Sequence, residues 1–202
     1  MLKLRNILLY LVFMGTCTLL AQNAKEQAFS KSFVYEYESQ YTKAIKPLLD
    51  LNSDAYEISL RCGWLYYQNK DYKNSEHYYR KALQQEPLSI EARFGLVLPL
   101  SALNNWSAVL AVYLEITKMD PYNSIANYRI ASIYFARKEY AQALVYVQKV
   151  TKLYPFDFDS NLLCGKILTE QKRLSEAKLY LLRAVEYNPQ SEEAVAAYKK
   201  VQ

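Results

Sequence analysis

The chain has 202 residues, 51% of them hydrophobic and 22% charged, and carries a formal net charge of +5. With only 4 Gly and 6 Pro it is neither low-complexity nor collagen-like, and its length suits one domain with a sizeable core. A single His against 20 Tyr argues against histidine-based metal centres and histidine acid–base chemistry.

Lys3 and Arg5 precede an apolar run from Ile7 to Leu20, closed by Ala21 and followed by polar Gln22, Asn23 and Lys25. A basic start, a short apolar stretch and a small closing residue read as a secretory signal peptide over residues 1–21. The run is shorter than the roughly 20 residues that a spanning helix needs. Cleavage is expected after Ala21, with Ala24 as the alternative. Met14-Gly15-Thr16-Cys17 departs from the bacterial lipidation pattern Leu-Ala-Gly-Cys at its first and third positions, so Cys17 is not expected to carry lipid. An exported, periplasmic or cell-envelope location follows. Losing Lys3 and Arg5 lowers the formal charge by two, to +3, and no stripe of Lys and Arg points to nucleic acid.

Residues 22–55 read as an irregular leading unit. Tyr41 and Ala44 keep the three-residue offset of Tyr140 and Ala143, but Tyr41 precedes Tyr72 by 31 residues, less than the period found further on. The shortening is expected around Asn52-Ser53-Asp54, Pro47 is expected to interrupt the second helix, and a leading helix is expected over Phe29–Tyr41.

From residue 56 onward one period governs the chain. Pro87, Pro121, Pro155 and Pro189 stand 34 residues apart. The same spacing links Tyr66, Leu100, Tyr134 and Leu168, and also Tyr72, Trp106, Tyr140 and Leu174. Three columns are small or nearly so: Gly63, Val97, Ala131 and Gly165; Ser75, Val109, Ala143 and Ala177; Ala82, Ile116, Val150 and Ala184. Such a period means stacked supersecondary units, each burying a face on its neighbours. Each unit reads as two helices. Ala55–Gln68 places Cys62, Leu65 and Tyr66 at helical spacing; Asn69-Lys70-Asp71 breaks it; Tyr72–Gln85 turns Tyr79, Ala82 and Leu83 inward. The proline then ends the second helix. Asn123 or Ser124 can cap the helix after Pro121, and Asp157, Asp159 or Ser160 the one after Pro155.

These residues resemble the tetratricopeptide repeat. Gly63, Tyr66, Tyr79, Ala82 and Pro87 match its motif in 56–89, and Tyr113 and Pro121 in 90–123, where Pro99 sits at a kink position. Ala131, Tyr134, Ala143 and Pro155 match in 124–157; Gly165, Ala177, Ala184 and Pro189 match in 158–191. The resemblance implies an all-α chain, a right-handed α–α superhelix. It would hold four regular repeats after a degenerate leading one and before a capping helix over 192–202, with Val195 and Tyr198 inward. With its export signal the chain is similar to Gram-negative bacterial envelope proteins of this family.

The family binds partners mainly on the concave face lined by the first helix of each repeat. Projected here, the resemblance implies rows Leu60, Phe94, Tyr128, Leu162; Trp64, Leu98, Ser132, Lys166; and Tyr67, Ser101, Phe135, Thr169. The implied protein-binding residues are Leu60, Trp64, Tyr67, Phe94, Leu98, Tyr128, Phe135 and Lys166. Versions that clamp a terminal carboxylate place Lys, Arg and Asn in these rows. Only Lys166 suits that here, so an apolar and aromatic groove is expected, either open or covered by the leading helix.

Little else carries chemistry. His77 follows Glu76 on a polar helix face, no nucleophile–histidine set or phosphate loop can be built, and Asp157 and Asp159 lack the distal Glu of a calcium loop. Cys62 and Cys164 read as buried free thiols. The expected function is a non-enzymatic exported scaffold that binds a protein or peptide segment. The alternative is a periplasmic chaperone or assembly factor for outer-membrane or secretion machinery. No cofactor, metal, small-molecule substrate or nucleic acid is expected.

Overall fold

The computed structural model describes residues 23–202, so the signal-peptide and Cys17 readings lie outside the described residues. All regular structure among them is helical: α1 (23–37), α2 (Tyr41–Leu49), α3 (Tyr56–Gln68), α4 (Tyr72–Gln85), α5 (Ile90–Ala102), α6 (Trp106–Met119), α7 (Ser124–Ala136), α8 (Tyr140–Leu153), α9 (Phe158–Glu170), α10 (Leu174–Tyr187) and α11 (Glu192–Lys199). These form the helix pairs of an α–α superhelix with an irregular leading pair and a terminal cap. The described residues fall into two compact units, one up to Leu103 and one of Asn104–Gln202.

Local chemistry explains the helix ends. Asp71, Ser89, Asn105, Asn123, Asp157 and Ser191 each accept, through the side chain, a backbone N–H of the turn they open. Asn123 and Asp157 are therefore the caps among the candidates after Pro121 and Pro155. The helices before the repeat prolines stop at Gln85, Met119, Leu153 and Tyr187, two residues short of each ring, because the residue before proline is pushed out of the helical region. Between the two helices of a pair the backbone turns through a left-handed residue: Lys70, Asn104, Lys138 and Lys172, with φ of 57–62°.

Three expectations about the leading pair need correction. Pro47 does not interrupt α2, which runs through it to Leu49. The proline takes away one donor near the end of a helix whose Ala44, Ile45 and Leu48 are buried, so packing holds the turn. The leading helix ends at residue 37 and not at Tyr41; Ser39 supplies the left-handed turn, and Tyr41 opens α2 as Tyr72 opens α4. The shortening falls on α2 itself, with 9 residues against 14 in α4, and not on the turn around Asn52-Ser53-Asp54, where six residues separate α2 from α3 against four between α4 and α5. Pro99 likewise leaves α5 continuous to Ala102.

Each unit has its own core. In the first, Ala28, Ala44, Leu48, Ile58, Cys62 and Leu65 form one cluster. The buried ring of Tyr79 lies against the backbone of both neighbouring helices; a Cβ on Gly63 would stand 2.9 Å from it, and one on Gly95 2.1 Å. Ser75 ties α4 to α3 by donating to the Gly63 carbonyl at 2.7 Å. In the second unit Ala143, Val147, Cys164, Ile167, Leu168, Leu181 and Ala184 are buried together. Burial pushes both thiols up to about 12, so they are inert small hydrophobes at neutral pH. At the cap Tyr198 packs on the core as expected, but Val195 is only half-buried; Ala194 and Val201 are the buried pair.

Candidate protein-binding surface

In the first unit the projected residues lie on α3 (Leu60, Trp64, Tyr67) and α5 (Phe94, Leu98, Ser101). All but Trp64 are half-buried; Trp64 keeps 36% of its surface exposed. Helical spacing sets Trp64 and Tyr67 one turn apart, with ring centroids at 6.1 Å, and Tyr67 continues to Tyr72 at 5.8 Å. The leading helix lies alongside this row. The Glu36 carboxylate accepts from the Trp64 indole at 2.6 Å and pairs with Arg61 at 2.6 Å, and the Arg61 guanidinium lies 3.8 Å from the centre of the Phe33 ring. Lys25 of α1 pairs with Glu57 of α3. Helix α1 thus braces the edge of α3 and leaves the Trp64 face partly open.

In the second unit the rows lie on α7 (Tyr128, Ser132, Phe135) and α9 (Leu162, Lys166, Thr169). Leu162 is core and not groove, with 7% of its surface exposed. Ser132 and Thr169 spend their hydroxyls on carbonyls one turn back, those of Tyr128 and Gly165. Tyr128 is half-buried against the core, and burial raises its hydroxyl above the usual tyrosine range. Phe135 and Lys166 do come together: the Lys166 ammonium lies 5.6 Å from the Phe135 ring centre and 2.7 Å from a Glu193 carboxylate oxygen.

Those two residues lie in a pocket of about 310 Å³, with Thr169, Glu193, Ala197 and Lys200 among its walls. The contribution of α11 was not foreseen in the sequence. It was nonetheless legible: one further period of 34 from Leu162 and Lys166 reaches Ala196 and Lys200. The capping helix stands where the first helix of another repeat would. His77, as expected, is exposed; it lies edge-on to Tyr78. Among the described residues no three His, Cys, Asp or Glu side chains group as metal ligands.

Tetratricopeptide repeat family models match residues 56–87, 95–158 and 134–201. No curated protein sequence gives a significant match. Solved structures share the fold. A MamA fragment from Desulfovibrio magneticus RS-1 aligns with a TM-score of 0.70 at 14% identity, over 84% of this chain and 97% of its own. YrrB, described as a TPR protein with an unusual peptide-binding site, aligns with a TM-score of 0.71 at 17% identity, over 89% and 97%. The 34-residue punctuation, the paired helices and these matches agree, and the chain belongs to the tetratricopeptide repeat family.

Proposed function

We infer that this protein is a non-enzymatic, exported scaffold that binds a protein or peptide segment through the first helices of its repeats. The observation that carries the reading is the aromatic row on α3. Trp64 and Tyr67 stand outside the buried cluster of Leu48, Ile58, Cys62 and Leu65, and Trp64 remains 36% exposed with its indole N–H held by Glu36. Large aromatic anchors oriented by a neighbour are what interface hot spots are made of. The peptide-binding site named for YrrB supports the same reading by likeness of fold.

Capture of partners from an envelope extract, followed by affinity and melting measurements on variants, tests it. Trp64→Ala and Phe94→Ala should each weaken the captured partner by about 2 kcal/mol or more with helical content unchanged. Stability losses of about 3–5 kcal/mol, as for core aromatic truncations, without a separate binding defect would overturn it. A broad spread of unfolded clients in place of stoichiometric partners would point to the assembly-factor role instead.

A further inference from the structure

The pocket between α7, α9 and α11 has a chemistry of its own. Its apolar side is the Phe135 ring with Ala196 and Ala197, and its cations are Lys166 and Lys200. Two carboxylates share the lining, but both are engaged. Glu193 pairs with Lys166 at 2.7 Å, and Glu170 accepts from the Tyr140 hydroxyl at 3.3 Å. Lys200 has no ion pair among the described residues. The pocket therefore holds one cation without a counter-charge and a second whose counter-charge is a surface side chain, Glu193 being 62% exposed.

We propose that this pocket binds an acidic peptide segment, with an apolar side chain on Phe135 and the adjacent carboxylate on Lys166 and Lys200, and that Glu193 is the carboxylate it displaces. This deepens the scaffold reading and rests on it. The physical argument is one of complementarity. Glu193 already shows that Lys166 takes a carboxylate in this position, above an aromatic ring whose face favours the ammonium. An exposed ion pair of this kind is weak, so a ligand that also covers Phe135 and reaches Lys200 outcompetes it. A basic segment would instead meet two lysines, and a purely apolar one would leave them unanswered.

The test uses the full chain and fluorescein-labelled, C-terminally amidated heptapeptides read by anisotropy. The probe Ser-Ala-Leu-Glu-Ser-Ala-Ser should bind at least about tenfold more tightly than the same peptide with Lys for Glu or with Ser for Leu. A peptide ending in Leu with a free carboxylate separates a terminal acid from a side-chain acid as the source of the anion. Lys166→Ala and Lys200→Glu should each reduce binding. Glu193→Gln should raise it about threefold to fivefold, as expected for freeing a cation from an exposed pair; a merely structural Glu193 would give no gain. Equal binding of the Glu and Lys peptides, or no gain with Glu193→Gln, overturns the proposal. A captured partner that responds to Trp64→Ala but not to Lys166→Ala or Lys200→Glu overturns it too and leaves the scaffold reading standing. Failure of every variant to affect capture, with no peptide bound, overturns both.

Discussion

Gly165 lies so close to α10 that a Cβ there would stand 2.4 Å from the Leu181 Cγ and 3.3 Å from the Leu181 backbone nitrogen. Because Leu181 is itself fully buried, the branch point cannot swing aside without moving the core. Gly165→Ala should therefore lower stability by about 1–3 kcal/mol despite the better helix propensity of alanine, read as a lower denaturation midpoint. An unchanged midpoint would refute the close approach. The small-residue column Gly63, Val97, Ala131 and Gly165 was legible because its period repeats. Gly95, which approaches Tyr79 more closely than Gly63 does, was not. Its 34-residue partners are Arg61, Arg129 and Leu163, so nothing periodic marks it. One bulky ring in the neighbouring helix creates the need.

At the scale of the element, one side-chain position recurs in bracing three of the turns between repeats. Asn161 donates from its amide to the carbonyls of Pro155 and Asp157, and Asn127 does the same to Pro121 and Asn123. Arg93 fills the equivalent place with its guanidinium, donating to the carbonyls of Pro87 and Ser89. Asn161→Ala should cost about 1–3 kcal/mol, since it removes two hydrogen bonds made by a side chain that is itself buried. The opposite sign is expected in the turns within a pair. Lys138 holds a left-handed φ of 61° without a glycine, so Lys138→Gly should raise stability by a few tenths to about 1 kcal/mol, because the relief of the strained backbone exceeds the entropy that glycine adds to the unfolded chain. Chemical denaturation of the two variants side by side checks both signs. The stops and caps of these helices could be read directly, because proline and cap residues act on backbone a few positions away. The fate of Pro47 and Pro99 could not, since burial of the surrounding helix face outweighs a single missing donor.

For the whole molecule, the proposal of export rests on the sequence alone, on Lys3, Arg5 and the Ile7–Leu20 run. Intact mass of protein recovered from the cell envelope should show a chain that begins near Gln22, with no lipid on Cys17; a retained Met1 or a diacylglycerol adduct would refute this. Periodicity by itself determined the family, the pairing of helices in the regular repeats and the proline-marked ends of the second helix of each. It did so because repeat packing asks the same residue type of every copy. It also fixed which residues share a row once the family's groove columns are projected onto the chain, since the members of a row stand one 34-residue period apart. Tertiary structure alone decided which members of a row remain open. Leu162 sinks into the core while Trp64 stays exposed beside Glu36. It alone seated Glu193, from the capping helix, on Lys166. The division of the repeats into two compact units was likewise invisible in the sequence. These outcomes depend on side chains from different helices meeting in space, and no fixed distance along the chain encodes such a meeting.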